Sequence, residues 1–311
     1  MQLTNRRVRL MGTVIDVSIY HKEPEPLLDQ VEALLHTYNK RFSANDDSSE
    51  LMKINKAAGL HSVTVHPELF ELIALGKWHS CQPGSHLNIA IGPLIQTWRI
   101  GFSDAKLPLP EEIPPLLEII NPNAIVLSEE NQSVFLKEKG MKIDLGALAK
   151  GYIADKLAEF LREKGVNSAV IDLGGNISVV GKKPDGSEFR IGVRDPFSTD
   201  GGIIGVVETH DKSLVTSGTY ERSFTKDGKV YHHILDVKTG YPVETGLDSV
   251  TIIGAGNKGI DCDSLATTCL ILGEKDGKKL IESLDGYEAI FVQHDGTITT
   301  TKNIKGFEKT K

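Results

Sequence analysis

Cysteine is scarce: Cys81, Cys262 and Cys269 are the only three in 311 residues. None stands in a C-x-x-C pair, which excludes a disulfide framework and a thiolate zinc site and leaves all three as small apolar fillers. Long apolar runs are missing too. Behind the basic residues of MQLTNRRVRLMGTVIDVSIYH there is no apolar segment of roughly 7–15 residues, so no signal peptide is expected. No stretch reaches the roughly 18 apolar residues of a membrane span. A cytoplasmic protein without stable membrane insertion is therefore expected. Positive charge is in deficit, with 35 Lys and Arg against 42 Asp and Glu, a net charge of -7 and a pI near 5.8. The cations are scattered rather than clustered, which excludes nucleic acid as the main partner. An anionic ligand would have to be neutralised locally, by helix N-termini, a few cations or a bound metal.

What is present is an ordinary folded composition, 40% hydrophobic and 25% charged. Val8 to Tyr20 alternates as a strand. Leu27 to Phe42 carries Leu28, Val31, Leu34, Leu35 and Tyr38 at helical spacing, and Pro67 opens a second helix through Trp78. LPLPEEIPP is a proline-rich connector, so residues 1–311 read as one domain with two subdomains and a seam near 104–115. Gly146 to Lys164 reads as a helix stopped by Gly165. Strands are expected at Ser168 to Leu173, Glu188 to Val193, Tyr231 to Leu235 and Ser249 to Ile253, and a helix from near Asp263 to Leu272. Strands and helices mix without a βαβ beat, which predicts an α+β fold.

Gly254, Gly256 and Gly259 spell G-x-G-x-x-G after the strand SVTII. Its place near the C-terminus leaves no room for a Rossmann domain, and Asp261 and Asp263 would meet a pyrophosphate with negative charge. A strand-to-helix loop is the better account. In IDCDSLATT, Asp263 and Thr267 are four apart on a helix and face one way, as oxygen donors suited to Mg²⁺ or as an N-cap and its neighbour. DLGALAKGYIAD holds Asp144, Lys150 and Asp155 around a helix start whose amides could cradle phosphate. Gly174-Gly175-Asn176 follows an apolar strand, as a tight turn or a close approach to a ligand. Of the adjacent His232 and His233, only one can enter a given site, where it could act as a general base. Thr216, Ser217 and Thr219 form a short polar run upstream.

Seven stretches in order resemble the ApbE family of FAD:protein FMN transferases: LMGTVIDVSI, RFSANDDSSEL with Ile54-Asn55, LNIAIGPLIQTW, DLGALAKGYIAD, VIDLGGNI, TSGTYER through HHILDVKTGYPV, and DCDSLATTCLILG. They run from Leu10 to Gly273. The resemblance implies a two-part α+β fold with mixed or antiparallel sheets, flanking helices and FAD in the cleft between the parts. It implies FAD contacts at Met11, Asn88, Ile89, Ala90, Asp144, Lys150 and Ile234. Mg²⁺ ligands would be Asp263, Thr267 and the carbonyl of Ala147, and His233 the catalytic histidine. The chain departs from the family pattern at Asn88 (commonly Asp), Ala90 (commonly Thr) and Val237 (commonly Pro), and it shows no lipobox cysteine. The implied reaction moves the FMN half of FAD, with release of AMP, to a threonine hydroxyl of an acceptor flavoprotein bearing D-x-x-(S/T)-G-A-T. The chain carries no such motif itself. A Mg-dependent FAD pyrophosphatase and a non-catalytic flavin-binding protein are the competing readings.

Overall fold

The computed structural model describes residues 2–198, 200–302 and 304–310. They form two compact units, Met1–Thr37, Lys150–Gly218 and Thr245–Lys311 in the first, Tyr38–Ala149 and Thr219–Glu244 in the second. The chain therefore passes from one unit to the other four times. The proline-rich stretch at 104–115 lies inside the second unit, where it supplies the short helical turns Pro110–Glu112 and Ile113–Glu118.

The first unit is built on an antiparallel sheet: β1 (Leu3–Leu10), β2 (Thr13–Tyr20), β3 (Ala169–Leu173), β4 (Asn176–Val180), β5 (Lys212–Gly218), β6 (Leu247–Ala255), β7 (Tyr287–Gln293) and β8 (Ile298–Thr300). These eight strands are hydrogen-bonded in that order. The stretch expected as one strand from Val8 to Tyr20 is instead a hairpin. Met11 and Gly12 turn it with φ of 54° and 71°, the left-handed pair that a two-residue hairpin loop requires. Alternation alone cannot reveal a turn that keeps the same period on both sides.

The two faces of this sheet pack differently. Leu214 and Ile253 are register partners on β5 and β6. Both join a core with Val179, Ile290, Val292 and the strand Phe189–Arg194. The opposite face, which Gly254 helps to form, receives Cys262 of helix α2 (Gly259–Leu272; α1 is Ala149–Glu163). Helix α3 (Glu274–Glu282) follows α2 and packs against β7. Two expected helix starts are corrected here. Helix α1 opens at Ala149 rather than Gly146, after a turn over 146–148, and α2 opens at Gly259 rather than near Asp263. The G-x-G-x-x-G run is thus a strand end, a loop and a helix start, but both neighbours of β6 are antiparallel. A dinucleotide-binding sheet is parallel at this point.

The second unit combines the helices Glu50–Lys56, Pro67–Cys81 and Gly92–Trp98 with a three-stranded sheet and the hairpin Ser223–Lys226/Lys229–His232. Trp98 is fully buried with Leu94, Ile113, Ile120 and Leu235, and its indole N–H donates to the Gly240 carbonyl at 2.8 Å. That bond pins the turn after His233, and Asp236 closes it by accepting from the Lys238 amide at 2.8 Å. Trp98→Phe keeps most of the apolar volume and removes the donor. It is expected to lower unfolding free energy by ~1–3 kcal/mol in urea titrations, and a loss under about 0.5 kcal/mol would refute this role. Among the described residues no helix is long and apolar enough to cross a membrane.

Candidate functional site

In the first unit the chemistry gathers on α2 and the strands beneath it. Because α2 starts four residues earlier than expected, Asp263 sits inside the helix, in its second turn, and is not an N-cap. Its side chain is buried, with 2% exposure. The Gly151 amide donates to Oδ2 at 3.2 Å, and Lys150 Nζ lies 3.9 Å from the same oxygen. The Asn176 amide, oriented so that both its ends are satisfied, donates to Oδ2 at 3.0 Å and accepts from Lys150 Nζ at 3.2 Å. Burial pushes the Asp263 carboxyl up from the ordinary range, opposed by Lys150 and the Gly151 N–H. All its polar contacts among the described residues fall on Oδ2. Oδ1 takes none, yet is not among the side-chain atoms sealed from solvent without a partner.

Thr267 follows one turn on, half-buried, with its hydroxyl 3.4 Å from that of Ser217 on β5. These are hard oxygen donors around a single carboxylate. Among the described residues no three His, Cys, Asp or Glu side chains cluster as a ready metal cage. The donor set fits Mg²⁺, which is commonly held through one or two carboxylates with water and substrate phosphate completing the octahedron. It does not fit zinc. A cation at Oδ1 would meet the carboxylate without breaking any of its contacts at Oδ2.

At the start of α1 one amide is already committed within the protein. The Gly151 amide is engaged by Asp263 and is not free for a phosphate. Asp144 lies before the turn over 146–148, accepts from the Gly146 amide at 2.8 Å, and stands in the second unit with Ala147. Sequence reading passed over Asn176 and Ser217 as site members. The GGN run after β3 and the TSG run on β5 marked them, but only the sheet aligns both beside α2.

The second unit sets the histidines. His232 Nε2 lies 2.9 Å from the Val243 carbonyl, and its Nδ1 accepts from the Ile234 amide at 3.3 Å. Both ring nitrogens of His232 thus serve the backbone. His233 Nδ1 lies 3.3 Å from the Arg222 carbonyl, which can only accept, so in the neutral ring the proton sits on Nδ1 and the lone pair on Nε2. The two rings thus take opposite tautomers, Nε2–H in His232 and Nδ1–H in His233. Asn88 Oδ1 accepts from the Ala90 amide at 2.8 Å and Nδ2 donates to the Ile120 carbonyl at 2.7 Å, closing a turn. The side chains of Ile89 and Ala90 are buried at 1% and 0% exposure, and Ile234 at 7%. Their amides are used within the protein, by Ser80 Oγ at Ile89, Asn88 Oδ1 at Ala90 and His232 Nδ1 at Ile234. Met11 occupies the β1–β2 turn of the first unit.

Fold and site together define an antiparallel α+β protein with a buried carboxylate, Asp263, on helix α2 and, in its second unit, a histidine whose Nδ1 faces a backbone carbonyl. A sequence profile of the ApbE family matches residues 11–291, and the chain belongs to that family. A Klebsiella pneumoniae (strain 342) protein named FAD:protein FMN transferase is 41% identical over 283 residues, covering 91% of this chain and 87% of that protein. A Treponema pallidum (strain Nichols) protein of the same name is 35% identical over 317 residues, covering 96% and 87%. The ApbE protein of Thermotoga maritima superposes with a TM-score of 0.88 at 27% identity over 97% of each chain.

Proposed function

We propose that the chain transfers the FMN moiety of FAD to a threonine hydroxyl on an acceptor flavoprotein and releases AMP, with Mg²⁺ bound. The single observation that carries this reading is Asp263, a buried carboxylate whose Oδ2 is fully used and whose Oδ1 is not. The names of the relatives supply the substrate class. Asp263 and Thr267, with the Ala147 carbonyl, would hold the metal. When bound, Mg²⁺ neutralises diphosphate charge and stabilises the leaving phosphate.

The chain's own residues do the rest. Lys150, kept in place by Asn176, offers a cation to the phosphate oxygens. His233 Nε2 takes the proton from the attacking hydroxyl, while the Arg222 carbonyl holds the ring through Nδ1 and favours the protonated product state. The bond formed joins the threonine oxygen to the FMN phosphorus, and the bond broken is the P–O bond to AMP.

Incubation with FAD, Mg²⁺ and an acceptor bearing D-x-x-(S/T)-G-A-T is expected to give a flavin-fluorescent acceptor band and one AMP per flavin attached. Free FMN with an unlabelled acceptor would replace transfer by hydrolysis, and no AMP at all would remove the enzymatic reading.

A further inference from the structure

Asp155 is a buried acid with 7% exposure that the proposed reaction does not use. It lies on α1, four residues after Gly151 and so on the same helix face. Its carboxylate spans the start of α2: Oδ1 accepts from the Gly259 amide at 3.0 Å and Oδ2 from the Ile260 amide at 3.3 Å. The residue in the N-cap position of α2, Lys258, makes no side-chain capping bond. A helix normally satisfies its first amides from its own N-cap. Here the cap comes from another helix, over 100 residues away in sequence. Burial pushes the Asp155 carboxyl up to about 7, and the two amides pull it down.

The same two helices touch backbone to backbone one turn away. A Cβ on Gly151 would stand 2.2 Å from the Gly259 carbonyl oxygen, and a Cβ on Gly259 would stand 2.6 Å from that of Gly151. The Gly151 amide then reaches Asp263, four residues along α2 from Gly259. Two points of attachment separated by one turn fix the sliding coordinate of α2 against α1: Asp155 on the 259–260 amides, and the Gly151 amide on Asp263. A cap alone would stop fraying; a cap supplied by the helix that carries Lys150 also sets where Asp263 stands.

We propose that Asp155 is a positioning residue that locks the register of α2 against α1 and so holds the Asp263 carboxylate, with Oδ1 turned to the metal, against Gly151 and Lys150. This rests on the reading of Asp263 as a metal ligand. The test therefore has one arm that needs no metal.

The first arm compares amide hydrogen exchange in wild type, Asp155→Asn and Asp155→Ala. Both variants are expected to speed exchange at Gly259 and Ile260, and also at Gly151, by at least ~10-fold in Asp155→Ala. The amides of β5 and β6 should be unchanged. Faster exchange at Gly259 and Ile260 with Gly151 unmoved would reduce Asp155 to a simple cap and overturn the proposal. The second arm measures Mn²⁺ affinity by calorimetry without FAD. Asp155→Ala should weaken it ~10–100-fold, the range for groups that orient a ligand. Asp155→Asn should weaken it less, because one acceptor oxygen remains for Gly259. Val193→Ala, on the strand packed against the other face of the sheet, is the control for lost stability alone. Mn²⁺ affinity in the Asp155 variants equal to that of this control would also overturn the proposal. If wild type itself binds no metal, the ligand reading of Asp263 fails and the exchange arm still decides the register claim. If Asp155→Ala does not fold, Asp155→Asn carries both arms.

Discussion

Asp263→Ala is expected to lower metal-dependent turnover of FAD by at least ~10³-fold, the equivalent of about 4 kcal/mol of barrier. Asp263 is the one carboxylate among the proposed metal ligands, so its removal leaves only neutral oxygens, a hydroxyl and a carbonyl. Its loss also strips Lys150 and the Asn176 amide of their shared anion and leaves the Gly151 N–H without its acceptor. Metal titration separates these effects. Excess Mg²⁺ should restore part of the activity if the lost term is affinity. Asp263→Asn keeps the shape and an acceptor for Gly151, so it should fold close to wild type and still lose most turnover. Full activity in either variant at ordinary Mg²⁺ would remove the metal site from α2.

His233→Ala is expected to slow transfer to the acceptor by ~10²–10⁴-fold, the usual range for a general base, with FAD binding little changed. The neighbouring histidine makes a sharp control. Both ring nitrogens of His232 are committed to Val243 and Ile234, so His232→Ala should act through stability and leave the rate of the folded fraction near wild type. Single-turnover assays with pre-bound FAD, followed by AMP release, read the two variants directly. If His232→Ala lost the chemistry and His233→Ala kept it, the assignment from tautomers would be reversed.

The histidine pair shows how far sequence reading reaches. Alternation told that the two rings face apart, but both were equally eligible. The resemblance pointed to His233, and the carbonyls of Arg222 and Val243, which no local pattern announces, set the tautomer of each ring. The α2 start shows the same limit. Asp263 is a good N-cap residue, and a local reading placed it at the helix end. Asp155 caps the helix earlier instead, so Asp263 moves inside, where its carboxylate is buried rather than exposed to water. The hairpin at Met11-Gly12 was missed for a different reason, because two strands of equal period join without any break in alternation.

By itself, the sequence determined the α+β class, the helix at Pro67, the strand-to-helix loop rather than a Rossmann reading of Gly254 to Gly259, and the order of motifs that marks the family. These are local or serial properties, carried by spacing and residue type. Only the tertiary structure decided which oxygen of Asp263 is open, that the Gly151 amide belongs to it, and that Asn176 and Ser217 stand beside it. Those facts join residues 112 and 50 positions apart in the Gly151–Asp263 and Ser217–Thr267 contacts. Periodicity names the face a side chain takes, whereas its partner is set by where the chain returns.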